Sequence, residues 1–214
     1  MIKLLLENKK EFRLKDLINY SSNLYQRQGF NLSNKTLHKD LTNFLIERLK
    51  NYMKEKNIRT DIIEASLSTY GVDNIIKIYN KALTLNKVID KEIGQNIIFC
   101  YKRASNILEQ ELKNQELELA SSSDPALFKN EFEKSLYKKI HDLRKYFTRT
   151  NKNENYELSL NNLAESKSVV FDFFDNVMVK DNDKSIQKNR LELLKMLCKT
   201  FDNYFNFSKI ENIS

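Results

Sequence analysis

Residues 124–147 read DPALFKNEFEKSLYKKIHDLRKYF, and this stretch decides the fold class. Leu127, Phe128, Phe132, Leu136, Ile140, Leu143 and Phe147 recur three and four residues apart, the spacing that gathers side chains on one face of an α-helix. Asp124 before Pro125 predicts the start, an N-cap followed by proline at the first helical position. Leu119–Asp124, with its serine run, reads as a linker, and 151–155 (NKNEN) as a polar turn. The pattern then predicts helices over Tyr156–Val179 and Lys184–Phe205, with the turn Asp181–Asp183 between them. Connections this short join antiparallel neighbours, so the second half of the chain is expected to be an antiparallel helical bundle.

The first half continues the theme. Leu4 and Leu5, then Leu14, Leu17 and Ile18, mark short amphipathic pieces. Leu37, Leu41, Phe44, Leu45, Tyr52 and Met53 make a one-faced helix that Ser33 or Asn34 would cap. Thr60–Leu67 follows, ended by Gly71, and further helices are expected over Val72–Leu85 and Val88–Leu117, with Gly94 near the start of the latter. The 214 residues hold only 3 Gly and 1 Pro, which disfavours tight-turned sheets, and no strand-like alternation persists. The chain is therefore read as all-α, with a helical subdomain over 1–85 and a helical bundle over 86–214.

A formal charge of +7 is compatible with an anionic partner such as nucleic acid. Cys100 and Cys198 stand alone on apolar faces, with no metal or disulfide spacing, and read as reduced core thiols. The opening MIKLLLENKKEF has too short an apolar run for a signal peptide or a membrane span, so no membrane role and a cytoplasmic location are expected.

The strongest candidate for chemistry is Lys102, Arg103 and Asn106, which share a helical face. Lys and Arg suit phosphates, Arg and Asn suit base edges, and Tyr101 with Phe99 offers rings on which an unstacked base would lie. Lys134, Lys138, His141, Lys145 and Arg149 form a basic ridge diluted by Glu131, Glu133 and Asp142. Lys138, Lys145 and Arg149 join the RNA-binding candidates, although a solvated face explains the ridge as well. Arg48, Lys50, Lys54, Lys56 and Arg59 pose the same choice. Phe171, Phe174, Asp175 and Met178 would share a helical face, and an acid among apolar groups needs a partner. Arg190 is the natural one, giving an expected structural ion pair, Asp175–Arg190. His141–Asp142 is an HD dipeptide, but His38 is the other histidine and no carboxylate cluster accompanies them, so no metal is expected. No Gly-rich phosphate loop, G-x-S-x-G or Cys–base pair is present, and no catalytic residue is assigned.

Residues 171–210 carry the most specific text, FDFFDNVMVKDNDKSIQKNRLELLKMLCKTFDNYFNFSKI. It resembles the C-terminus of the β subunit of bacterial heterotetrameric glycyl-tRNA synthetase, whose text runs FFD-x-VMVM, NRL-x-LL and a D-x-S-x-L ending. Tyr101–Leu108 resembles the family's NKR-[IV]-[AS]-NIL, and Ser33-Asn34 through Asp40, Phe44 and Arg48 gives a third match in the same order. The opening then reads as a helix cut out of a longer helical region. The chain departs from the family at Gln187, where arginine is usual, at Asn206, where aspartate is, and at Cys100-Tyr101. The resemblance implies an all-helical anticodon-binding bundle related to that of arginyl-tRNA synthetase, with glycine tRNA as partner. It implies ATP and Mg²⁺ on the α subunit, reached through the full β subunit, and no catalysis in this piece itself. The alternative is a helical scaffold that docks proteins without specific RNA binding.

Overall fold

A computed structural model describes residues 2–8, 12–31, 36–68, 74–114, 118–150 and 155–211. All the regular elements among them are helical. The expected caps Ser33 and Asn34 and the stop at Gly71 lie outside the described residues. The chain divides into two compact units, Met1–Asn86 and Lys87–Ser214.

In the first unit, α1 (Ile2–Glu7) and α2 (Leu14–Arg27) pack on α3 (Leu37–Glu55), which also packs on α4 (Thr60–Leu67); α5 (Ile75–Val88) follows. Leu45, Leu49 and Met53 of α3 are buried with Leu14, Ile18, Ile62 and Ile63. Two helix ends close by the same device. Gly29 (φ 85°) and Asn57 (φ 58°) are left-handed residues just past α2 and α3. The following amides bond back, Phe30 to the Tyr25 carbonyl and Ile58 to that of Met53, each at 3.1 Å.

The second unit is a bundle of α6 (Glu92–Asn114), α7 (Glu131–Thr150), α8 (Tyr156–Ala164), α9 (Lys167–Asn176) and α10 (Lys184–Asp202). α6 and α7 each pack on α8, α9 and α10, so these three helices bridge them. α10 is the centre. Leu191, Leu193, Leu194, Leu197 and Phe201 are fully enclosed, and a 3₁₀ turn at Phe207–Lys209 closes the chain over α6 and α10. Gly94 is required by a close approach, because a Cβ there would lie 2.1 Å from the Ile89 carbonyl oxygen.

α5, α6 and the end of α10 are offset by three or four residues from the expected ranges, and three further departures have a local cause. Asp124 does cap Pro125, accepting from the Ala126 amide at 2.9 Å, but over a 3₁₀ turn, Pro125–Leu127. α7 itself starts at Glu131 through a second cap. Asn130 Oδ1 accepts from the amides of Phe132 and Glu133, while Glu133 Oε2 accepts from that of Asn130 at 3.0 Å. The expected helix 156–179 is two helices. At Glu165–Ser166 the bonding tightens, the Ser166 amide reaching the Leu163 carbonyl, three residues back. α9 then ends at Asn176, and Val177 is extended (φ −122°, ψ 112°).

The linker 118–124 is strapped along α10. The Ala120 amide donates to Glu192 at 2.9 Å and Lys195 donates to the Leu119 carbonyl at 2.7 Å. Asn189 pairs with the Asp124 backbone in both directions, at 2.6 and 3.0 Å. Positions 189, 192 and 195–196 fall on successive turns, so one side of α10 supplies the backbone partners that an irregular segment needs.

Candidate nucleic-acid interface

α6 is buried on a wide front: Ile97, Ile98, Cys100, Tyr101, Ala104 and Leu108 all face inward. The outward side includes Phe99, Lys102, Arg103 and Asn106, with the acid Glu109 three residues further on; Phe99 and Lys102 are half-buried, and Arg103, Asn106 and Glu109 are exposed. The Arg103 guanidinium carbon lies 4.8 Å from the ring centroid of Phe174 and 5.9 Å from that of Phe99. Phe99 in turn approaches Phe171 of α9 at 6.5 Å, and Phe171 is 45% exposed. A guanidinium held over ring faces is oriented by cation–π attraction, on the order of 0.5–1 kcal/mol at an exposed site. Its planar geometry leaves N–H groups for phosphate or base edges, beside rings that a base would stack on.

Tyr101 does not belong to this surface. It is 4% exposed, its hydroxyl donates to Asp202 at 3.0 Å, and its ring packs near Phe201 and Phe207. Burial, then the neighbouring Asp202 charge, raises the Tyr101 phenol above its ordinary range, and burial raises the Asp202 carboxyl. The ring available to a ligand is Phe171, supported by Phe174, rather than Tyr101. No spacing pairs α9 with α6, so the sequence hid this neighbour. Its one trace was the shared face of Phe171 and Phe174.

Lys138, Lys145 and Arg149 are exposed on one side of α7 and have no ion-pair partner among the described residues. Lys134 is engaged by Glu131 at 2.8 Å and Lys139 by Glu165 at 3.8 Å. The His141 ring packs against that of Tyr137, with centroids 4.3 Å apart and the planes tilted by 52°. Among the described residues no group of three or more His, Cys, Asp or Glu could hold a metal ion, and no helix is long and apolar enough to cross a membrane.

The expected Asp175–Arg190 pair is corrected. Arg190 Nε binds Glu133 Oε1 at 2.7 Å, and its Nη1 donates to Asp181 Oδ2 at 2.7 Å and to the Met178 carbonyl at 2.9 Å. Asp175 is exposed. The buried side of α9 carries Val170 and Phe173, with Val177 just beyond it, one register away from the face that the sequence suggested. Glu133, 0% exposed, therefore serves twice, capping α7 with one oxygen and binding Arg190 with the other. The Asn130-x-x-Glu133 spacing is a capping-box signature and would have revealed its first role. Asp181, held by the Asp183 amide and then by Arg190, has its carboxyl lowered from the ordinary range.

The model for the DALR anticodon binding domain matches residues 97–213. The chain belongs to that family. It is 33% identical over 210 residues to the glycine–tRNA ligase β subunit of Rickettsia canadensis, covering 98% of this chain and 30% of that protein. The Rickettsia africae β subunit is 32% identical over the same share of the chain, and that of a Sulfurihydrogenibium species is 33% identical over 79% of it, covering 29% and 24% of the relatives. The chain spans about three-tenths of the length of the first of these relatives. The DALR match contains the whole Arg103–Phe171–Phe174 surface and the α7 cations, whereas α1–α5 lie before it.

Proposed function

We propose that this chain is the tRNA-gripping C-terminal part of a cytoplasmic glycyl-tRNA synthetase β subunit, and that it holds the anticodon stem-loop of glycine tRNA. The observation that carries the reading is Arg103 laid over Phe174 and Phe99 beside the exposed Phe171, inside the DALR anticodon-binding match. In this reading a splayed anticodon base stacks on the Phe171 side and Arg103 and Asn106 meet its polar edge. Lys102 neutralises a neighbouring phosphate, and Lys138, Lys145 and Arg149 follow the backbone as a second, sequence-blind contact. Aminoacylation belongs to the complete enzyme, with ATP and Mg²⁺ on the α subunit. No residue of this chain is assigned to either.

The test is binding of the 214-residue chain to glycine tRNA, wild type and anticodon-substituted, across a salt series. The expected result is a preference of tenfold or more for the native anticodon, on the order of one lost base contact, abolished by Arg103→Ala. Lys145→Ala should weaken all tRNAs alike and shallow the salt dependence by about one phosphate. Equal binding to every anticodon would remove base readout from this surface, and no binding at low salt would favour a protein-docking scaffold.

A further inference from the structure

The basic run at 48–59 resolves into two kinds of cation. Lys50 is taken up by Glu47 and Glu64 at 3.2 and 3.1 Å, and Arg59 by Asp61 at 2.7 Å. Arg48 and Lys56 are instead exposed and lie on rings. The Arg48 guanidinium carbon is 5.1 Å from the Phe44 centroid, and Lys56 Nζ is 5.5 Å from that of Tyr52. Tyr52 extends the row to Tyr79 of α5, at 5.7 Å. Phe44, Arg48, Tyr52 and Lys56 are spaced by four residues, so they form a single stripe of ring, cation, ring, cation beside the buried row Leu45, Leu49 and Met53. Phe44 is 53% exposed, far more than a core ring needs.

An open groove of about 390 Å³ runs along this stripe between α1 and α3, lined by Ile2, Lys3, Phe44, Arg48, Tyr52 and Glu55. Glu55 is the acid in its wall and Lys3 is engaged by Glu7 at 3.9 Å, so the positive excess comes from Arg48 and the adjacent Lys56. The stripe spans about 18 Å, twelve residues at about 1.5 Å each, and its two cations lie about 12 Å apart, the length of three to four stacked nucleotides at about 3.4 Å each.

We infer that α3 carries a second RNA site, outside the DALR match, for a single-stranded stretch of three to four nucleotides. Arg48 and Lys56 bind phosphates three to four nucleotides apart, and an unpaired base stacks on Phe44. An open ring of this kind reaches splayed bases, whereas paired bases inside a duplex are closed to it. The inference rests on the RNA-binding reading above for the identity of the strand, and uses none of the same residues.

The experiment measures binding of the 214-residue chain to a 12-nucleotide oligouridylate and to glycine tRNA, with 4-thiouridine crosslinks mapped to peptides. Arg48→Gln/Lys56→Gln should weaken oligouridylate binding about tenfold and reduce the slope of log affinity against log salt by about 1.4, two phosphates at about 0.7 each. Phe44→Ala should weaken it about fivefold or more while leaving the slope unchanged, and crosslinks should appear within residues 44–56. If these variants bind like wild type while Arg103→Ala weakens tRNA binding, the inference fails and the anticodon reading stands. If the wild-type chain binds neither RNA, both fail. If Phe44→Ala leaves RNA binding intact but dissolves a dimer seen by light scattering, the stripe is a protein interface and the inference is overturned.

Discussion

The two units solve the problem of exposed and buried groups in opposite ways. Among the described residues of the first, Ser66 and Lys81 are the buried polar side chains, while the second buries Glu111, Ser123, Glu133, Ser159, Ser166, Gln187, Asn189, Arg190, Glu192 and Thr200. The exposed large apolar side chains divide the other way. Leu4, Phe12, Tyr20, Leu24, Tyr25, Phe30, Leu41 and Phe44 are in the first unit, against Leu112, Leu158, Phe171 and Met178 in the second. The second unit uses polar groups to fix loops onto α10, each bond demanding one register. The first relies on apolar stripes and backbone caps and keeps its rings outward. The lesson is that a surface able to receive a partner can arise from sparse internal fastening, or, as with Phe171, from one exposed ring over a tightly fastened core.

The comparison is broken most directly at Glu133. Glu133→Ala strips Arg190 of its buried partner and α7 of its cap, and should cost about 3–5 kcal/mol, read as a lower urea midpoint and as faster amide exchange in α7 and α10. A loss below about 1 kcal/mol would mean that the buried polar contacts are not what holds the second unit.

Alkaline pH probes the same core. Burial pushes the Cys100 and Cys198 thiols from an ordinary 9.0 up to about 12. Their folded-state values are raised, so the protonated forms stabilise the fold fully below pH 9, and that stability is lost as pH climbs from 9 towards 12. The expected decline is at most about 1.4 kcal/mol per pH unit for each thiol, steepened above about pH 10 by Tyr101. A denaturation midpoint that stays flat from pH 9 to 11 would contradict it, and Tyr101→Phe should soften the steepest part.

Asn189→Ala should cost about 2 kcal/mol, because it leaves the Asp124 amide and carbonyl unpaired beside α10. The checking measurement is amide exchange at Asp124, which should rise without a comparable change in α3 or α4. The smallest effects sharpen the contrast. Asp175→Ala in the second unit and Tyr20→Ser in the first should each stay within about 0.5 kcal/mol in thermal denaturation, since both side chains are exposed.

Helix content, the short connections of the bundle and the cap at Asp183, which accepts from the Ser185 amide at 2.8 Å, were all legible in residue order and spacing. The register of α9 was not. Phe171 and Phe174 satisfy a helical stripe as well as Val170 and Phe173 do, and it is Val170 and Phe173 that are buried where α9 packs on α6 and α7. Arg103 was legible as a cation on an open face. Its rings on α9 were not, because periodicity orders residues within a helix and says nothing about which helix lies alongside. Tyr101 was misread for the same reason, since one helix packed on several neighbours hides faces that a one-sided stripe would leave open.

Glu111 is held from two sides. It is 4% exposed, takes a hydrogen bond from Gln187 at 3.1 Å, and has Lys180 at 3.3 Å as its cation. Gln187 brings a dipole but no charge, and Lys180 is largely exposed. The acid is therefore neutralised from the solvent side, where added salt competes with its cation while leaving the buried amide contact in place.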